Sequence, residues 1–279
     1  MRQHDYISIL KSLYQEKINF IDVGAYKGDF TDGILYNFAA ANCVLIEPTV
    51  ENYDYLQEKY KDEKRVNLLN VALSNTCGVQ KFFSTDDTAQ NSLLPHRSYS
   101  VNCKEHLVQV RSLDQLILET KMIDQIDFIK IDTQGNDLNV LMGSEKCIEK
   151  YSPAILSEII FIPLYEGQSS FIDQFKYLKD INYNISGMYN LHYTFEGILA
   201  YADVLFLPEN RYKNFIERID TSSNFVCLDP YVLSREIDKL NTTCDERLKL
   251  INYLSDEAQN RLDIINQLNS EIERLRVNK

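Results

Sequence analysis

The sequence predicts an α/β domain with a seven-stranded, mainly parallel sheet, helices on both faces and a C-terminal coiled coil. Between residues 18 and 208, short apolar runs alternate with segments of helical period. Strands that are separated by helix-length crossovers form parallel sheets covered on both faces. Residues 233–279 change to a seven-residue apolar repeat without glycine or proline, which is typical of a coiled coil.

The predicted elements follow one another in a regular order, after an N-terminal helix within residues 1–17. The predicted strands are Ile18–Val23, Cys43–Glu47, Val66–Leu73, Asp127–Asp132, Ala154–Ile160, Ile181–Ser186 and Val204–Leu207. The predicted helices between them cover residues 28–41, 50–61, 112–122, 137–150 and 170–179. An insertion at residues 78–111 contains Val79–Ser84 and Leu107–Arg111, which we expect to pair as two extra strands.

This pattern divides the chain into a helix at 1–17, an α/β domain at 18–208, a connecting segment at 209–232 and the coiled coil at 233–279. Isoleucine at the first seam position and leucine at the second favour a parallel pair of helices, although Arg247 and Arg261 depart from that pattern. We therefore expect a homo-oligomer. The alternative is a long helix folded back on the domain. The apolar stripe of the heptad pattern is too narrow to cover a globular surface well, which argues against this alternative.

Composition restricts the partners and the compartment. The formal net charge is −12, and no cluster of Lys and Arg stands out, so we expect no nucleic-acid partner. The six cysteines are scattered without metal-finger spacing. The N-terminus lacks the apolar run of a signal peptide, and no stretch has the length of a membrane span. Together these features predict a cytoplasmic protein.

The segment Asp22–Gly28, with the sequence DVGAYKG, follows the first strand and precedes a helix. In a doubly wound sheet this is where nucleotide-like cofactors bind. A dinucleotide site would need a GxGxxG turn for its pyrophosphate, but the spacing here is GxxxG. An acid at Asp22 would repel pyrophosphate and suits the ammonium and sulfonium groups of S-adenosylmethionine.

Glu47 ends the second strand, where a carboxylate can accept both ribose hydroxyls of an adenosine. Its combination with the first loop therefore predicts S-adenosylmethionine as the cofactor. The predicted contacts within that loop are Asp22, Gly24, Ala25, Tyr26 and Gly28. The alternative is a capping aspartate together with an unrelated glutamate at a strand end.

Two further acids end neighbouring strands. Asp132 follows the fourth strand, and Glu158 lies near the end of the fifth. Such a pair can share a divalent metal or contact a substrate hydroxyl, so both residues are candidate metal ligands. Asp132 is also our first candidate for catalytic contact with the acceptor. The alternative for each acid is a helix-capping or fold-stabilising hydrogen bond.

The motifs DVGAYKG, IEP, NVALSN, RSLDQL, DFIKIDTQGNDLNVLMG, SEI and ADVLFL occur in this order across residues 18–208, and they resemble the FkbM family of methyltransferases. The resemblance implies a class I, Rossmann-like methyltransferase fold and O-methylation of hydroxyls on sugars, glycolipids or related natural products. It also implies that Asn70 and Ala72 lie near the adenine and that Asp132 belongs to the cofactor site. Gln134 departs from the family, in which many members carry glutamate.

Other functions remain open from the sequence. His192, which we expect in a loop, is a second possible base, although a surface or structural role is an alternative. A nicotinamide-dependent oxidoreductase is a competing enzyme class, against which the missing GxGxxG and Asp22 argue. A non-catalytic scaffold that recruits partners through the coiled coil is the competing non-enzymatic function.

Overall fold

The computed structural model describes residues 6–98, 101–120 and 122–217. The predicted coiled coil lies outside the described residues, as does all but the start of the predicted connecting segment. The domain limits given above therefore stay predictions. None of the helices in the described ranges combines the length and apolar character that crossing a bilayer requires.

Helices and strands alternate along the described chain. The helices are α1 (Tyr6–Tyr14), α2 (Asp29–Asn37), α3 (Val50–Lys59), α4 (Leu113–Thr120), α5 (Asp137–Met142), α6 (Glu145–Tyr151), α7 (Phe171–Asp180) and α8 (Glu209–Ile216). The strands are β1 (Lys17–Val23), β2 (Ala40–Ile46), β3 (Val66–Leu69), β4 (Ala72–Leu73), β5 (Gly78–Ser84), β6 (Lys104–Arg111), β7 (Phe128–Ile131), β8 (Ala154–Ile160), β9 (Tyr183–Tyr193) and β10 (Leu199–Pro208).

Seven strands form the main sheet in the order β3-β2-β1-β7-β8-β10-β9. Neighbours pair in parallel from β3 to β8, and β10 pairs antiparallel with both β8 and β9. The predicted fold class, a seven-stranded and mainly parallel α/β sheet, is confirmed. The chain order runs outward in opposite directions from β1 and β7, which creates a crevice beyond their carboxyl ends.

Alternating side chains of the central strands pack into two cores. Phe20 and Phe128 face a cluster that includes Leu10 of α1, Ile34 of α2 and Leu56 of α3. The adjacent residues of the same strands, including Ile21 and Ile129, face the opposite cluster, to which α4, α5, α6 and α7 contribute. Because both faces are covered, β7 and β8 are buried along their whole length and read as nearly continuous apolar runs.

Two predicted elements are divided in the structure. The third predicted strand ends at Leu69, because the Asn70 side chain donates hydrogen bonds to the carbonyls of Glu47 and Pro48 and turns the chain away. The following β4 pairs instead with β6. The helix predicted at 137–150 breaks between α5 and α6 at Gly143, whose backbone lies against the backbone of Ser74.

The insertion forms the predicted antiparallel pair, β5 with β6, and these two strands and β4 make a separate three-stranded sheet. The last two strands are longer than predicted, since β9 extends to Tyr193 and β10 begins at Leu199. Sequence periodicity misses these extensions because polar and half-exposed residues interrupt the alternation. Both extensions lie at the edge of the sheet where the parallel strands end.

Candidate functional site

The loop after β1 comes into direct contact with the end of β7. Gly24 donates its backbone N–H to the Ile46 carbonyl at 2.9 Å, and its φ is +76°. A Cβ atom on Gly24 would lie 1.9 Å from the Asp132 carbonyl oxygen. Only glycine therefore fits between the strand ends, and the loop backbone itself forms a wall of the crevice.

Glu47 is held by the backbone of its surroundings. Its two carboxylate oxygens each accept a backbone N–H at 2.9 Å, one from Tyr26 and one from Thr49. Asn52 donates a longer bond of 3.4 Å to the same group. Burial raises the pKa of Glu47, and these hydrogen bonds oppose the rise. Each oxygen retains acceptor capacity, which a pair of ligand hydroxyls can use.

A cavity lies over the ends of β1, β2 and β7 and is closed on one side by the insertion. It encloses about 740 Å³, a volume that includes the open space at its mouth. Its lining residues are Val23, Gly24, Tyr26, Ile46, Glu47, Pro48, Thr49, Val71, Ala72, Leu73, Phe82, Thr88, Ala89, Asn91, Leu93, Asp132, Thr133, Gln134 and Asn136. They include two acids and no Lys, Arg or His, so the cavity suits a cationic, phosphate-free ligand.

Five of the predicted cofactor contacts line this cavity: Gly24, Tyr26, Glu47, Ala72 and Asp132. Three others are absent from its lining. Ala25 packs into the core below α2. Gly28 precedes α2, and its carbonyl accepts a hydrogen bond from Tyr60 at 2.8 Å. Asn70 holds the backbone that follows β2.

Asp22 departs from the expectation that its carboxylate faces the cofactor. The residue is fully buried and is absent from the cavity lining. One oxygen accepts a 2.7 Å hydrogen bond from Thr31, and the other lies 3.4 Å from the Lys130 ammonium. Burial raises the pKa of Asp22, and Lys130 opposes that rise. The structure thus gives Asp22 a supporting position beneath the loop.

Lys130 is the buried cation that sequence reasoning missed. Its ammonium donates to the Gly24 carbonyl at 2.9 Å and lies 3.3 Å from an Asp132 oxygen. The pKa of Lys130 is raised, because attraction to Asp132 and Asp22 outweighs the large opposing effect of burial. Lys130 is the one charged residue in the otherwise apolar strand β7, and this is the sequence signal that could have identified it.

Asp132, Gln134 and Glu158 form a bridged group beside the cavity. The Gln134 amide nitrogen donates to Asp132 at 3.0 Å and to Glu158 at 3.2 Å. The pKa of Glu158 is raised well above its usual value by burial and then by the nearby charges of Asp132, Asp137 and Asp203. The structure therefore brings the two predicted acids together, with an amide between them.

The metal prediction for Asp132 and Glu158 is not tested by this geometry. Among the described residues, no group of three or more His, Cys, Asp or Glu side chains is arranged to hold a metal ion. Two carboxylates alone leave most of a divalent cation's coordination to other ligands.

His192 lies outside the cavity lining. It is exposed on β9, and its ring stacks on Tyr201 with centroids 4.4 Å apart. The neighbouring strand β10 contributes the acid Asp203. Its side chain accepts a 2.7 Å hydrogen bond from Asn190, and the residue pairs in register with Glu158 of β8. Asp203 extends the row of acids toward His192, and no periodic pattern in the sequence singles it out.

Comparison with known proteins supplies the family. The sequence model described as the methyltransferase FkbM domain matches residues 22–185. A search of curated proteins finds no significant match.

Solved methyltransferases are similar at low identity. An rRNA methylase from Streptococcus thermophilus has a TM-score of 0.44 and 8% identity, over 75% of this chain and 98% of that chain. The M. capricolum protein TrmK, in complex with S-adenosylhomocysteine, has a TM-score of 0.41 and 9% identity, over 75% and 70%. A SAM-dependent methyltransferase from Aquifex aeolicus has a TM-score of 0.40 and 12% identity, over 73% and 89%. These similarities assign no substrate.

The family match covers the loop after β1, the end of β2 and the ends of β7 and β8. The cavity formed there contains carboxylates, an apolar wall and no basic side chain, as the cationic adenosine cofactor requires. The chain belongs to the methyltransferase FkbM domain family and is an S-adenosylmethionine-dependent methyltransferase.

Proposed function

We propose that the domain methylates a hydroxyl group of a sugar, glycan or related natural product, with Asp132 as the residue that receives the hydroxyl proton. The observation that carries this proposal is the contrast between the two acids in the cavity. Glu47 is 4% exposed and is held by backbone N–H groups. The Asp132 side chain is 33% exposed and lies where the cavity meets the row of acids on β8 and β10.

The remaining cavity residues bind and orient the cofactor. Glu47 would accept the ribose hydroxyls of the cofactor, and Ile46, Val71 and Phe82 would supply apolar surface for its adenine. When bound, S-adenosylmethionine supplies an electrophilic methyl group. Asp132 accepts a hydrogen bond from the acceptor hydroxyl and takes its proton as the new bond to carbon forms, a contribution of about 10²–10⁴-fold for a positioned base. His192 is the second candidate for this base.

Replacement of Asp132 by asparagine tests this role. We expect Asp132→Asn to lower kcat by about 10²-fold or more, because an amide cannot take the proton. Cofactor affinity, measured by calorimetry, should change much less. Asp180→Asn, an exposed acid at the end of α7, is the matched control and should behave as wild type. An Asp132→Asn enzyme with normal kcat, together with an inactive His192→Ala enzyme, would transfer the role to His192.

The acceptor class is tested by measuring S-adenosylhomocysteine release with sugar, lipid-linked, polyketide and RNA acceptors. We expect turnover only with hydroxylated, non-nucleic-acid acceptors. Turnover restricted to RNA would overturn the proposed substrate class. A protein that binds the cofactor but turns over none of these acceptors would support the scaffold function instead.

We also propose that residues 233–279 form a parallel coiled coil that makes the protein a homo-oligomer. The support is the heptad pattern of the sequence. Deletion of residues 233–279 should reduce the mass measured by light scattering to that of a monomer. A monomer mass for both the full chain and the truncated chain would refute this proposal.

A further inference from the structure

The Gln134 side chain is fixed by three partners. Its amide nitrogen donates to Asp132 at 3.0 Å and to Glu158 at 3.2 Å, and its amide oxygen accepts from the Tyr165 hydroxyl at 2.5 Å. In the opposite amide orientation, the oxygen would face two carboxyl groups. The network therefore sets the orientation, with both N–H groups between the acids.

The backbone also aims this side chain. Gln134 has a φ of +55°, which is uncommon for a residue with a branched or long side chain. Ser92 of the insertion donates a 2.7 Å hydrogen bond to the Gln134 carbonyl. The unusual conformation is thus supported from outside its own loop, as is typical of strained positions at functional sites.

The position between two carboxyl groups is the one that a bound cation would take. Donors 3.0 Å and 3.2 Å from oxygens of Asp132 and Glu158 supply positive hydrogen atoms at that point. We propose that the Gln134 amide replaces a divalent cation between Asp132 and Glu158 and holds both carboxyl groups in place without a metal. The importance of this replacement for catalysis rests on the proposed function of Asp132. The experiment that tests the replacement measures metal binding alone.

This proposal predicts a gain of metal binding when the amide becomes a carboxylate. Gln134→Glu would place a third carboxylate beside Asp132 and Glu158, which gives Mn²⁺ the oxygen ligands it prefers. We expect no saturable Mn²⁺ binding by the wild-type chain up to ~1 mM, and one bound ion in Gln134→Glu with a Kd of 10⁻⁴ M or tighter, on the order of a weak oxygen-ligand site. The bound ion is read by paramagnetic resonance, and its effect on stability is read as a rise in Tm.

The matched control is Gln168→Glu, which adds the same charge on the neighbouring loop. Gln168 lies 3.4 Å from the position of a Cβ atom on Gly135, and its side chain contacts backbone groups of residues 162–165. It should gain no Mn²⁺ binding. The double variant Gln134→Glu/Glu158→Gln should lose the gained ion, because one of the three ligands is then an amide.

Two results would overturn the proposal. One is stoichiometric Mn²⁺ binding by the wild-type chain that Glu158→Gln abolishes, since the amide would then not exclude the ion. The other is a folded Gln134→Glu variant that binds no Mn²⁺. If Gln134→Glu does not fold, Gln134→Ala provides the test. Removal of the amide should let Mn²⁺ bind more tightly than it binds to the wild-type chain. Equally weak Mn²⁺ binding by Gln134→Ala and wild type would overturn the proposal. If the wild-type chain transfers methyl groups normally but either of these Mn²⁺ results is obtained, the Gln134 proposal fails while the proposed function stands.

Discussion

The two sides of the crevice are built differently. On the cofactor side, the loops after β1 and β2 are held by backbone groups: Gly24 bonds to Ile46, and Glu47 accepts the N–H groups of Tyr26 and Thr49. On the side that we propose faces the acceptor, side chains hold one another, because Lys130 contacts Asp132 and Gln134 bridges Asp132 to Glu158.

The two kinds of contact should differ in their sensitivity to amino-acid replacement. Backbone contacts fix a cofactor position that tolerates many side chains nearby. A network of mutually supporting side chains is more sensitive to single replacements, because each lost partner leaves a buried polar group unsatisfied. We therefore expect the cofactor side to be sensitive at Gly24 and Glu47, whose contacts run through the backbone, and the opposite side to be sensitive to the loss of any charged partner.

The largest effect should come from Gly24→Ala. The added Cβ would meet the Asp132 carbonyl at 1.9 Å, so the strand ends must separate and cofactor binding should fall below detection by calorimetry. Gly197→Ala is the matched control, because Gly197 has a φ of +83° with no atom within 4 Å of its Cβ position. It should lose only about 1–2 kcal/mol of stability from the positive φ and bind the cofactor normally. Equal cofactor affinity in Gly24→Ala and Gly197→Ala would contradict the claim that the cofactor side depends on backbone contacts.

A smaller effect, on stability alone, is expected at Asp137. Burial, followed by the charge of Asp132, raises the pKa of Asp137 to about 7, compared with about 3.9 in an unfolded chain. Between these values the folded chain binds a proton that the unfolded chain does not. The resulting stabilisation is complete below about pH 4 and is lost as the pH rises through about 7, a change on the order of a few kcal/mol.

Asp137→Asn should remove this pH dependence. Urea unfolding between pH 5 and pH 8 should show a shallower decline in the variant than in wild type, even if the variant is less stable overall. Asp54→Asn, an exposed acid on α3, should follow the wild-type slope. Parallel curves for wild type and Asp137→Asn would contradict a raised pKa of Asp137 as the source of this pH dependence.

The sequence predicted the cofactor side well because its determinants are local. Gly24 and Glu47 are recognisable at the ends of apolar runs, and parallel strands place their carboxyl ends at one edge of the sheet. The succession of strands along the chain and the β5–β6 pair followed from the same periodicity. The contact between Asp22 and Lys130 could not be predicted, because Lys130 comes from a strand more than a hundred residues later.

The acceptor side was less predictable for the same reason. Gln134 was noted only for its departure from the resembling family, and its bridging contacts depend on Glu158 and Tyr165, which come from later segments. Asp203 joins the row of acids through the β8–β10 register. Contacts between distant segments carry no local periodic signal, so spacing along the chain could not reveal them.

The central claim is that the cavity beyond β1, β2 and β7 binds S-adenosylmethionine through Glu47. Calorimetric titration of wild type, Glu47→Gln and the exposed α3 control Glu51→Gln tests it most directly. We predict one bound cofactor for wild type and Glu51→Gln, and at least a roughly tenfold weaker Kd for Glu47→Gln, which is about 1.4 kcal/mol. Unchanged affinity in Glu47→Gln, or tight NAD binding without S-adenosylmethionine binding in the wild-type chain, would contradict the claim.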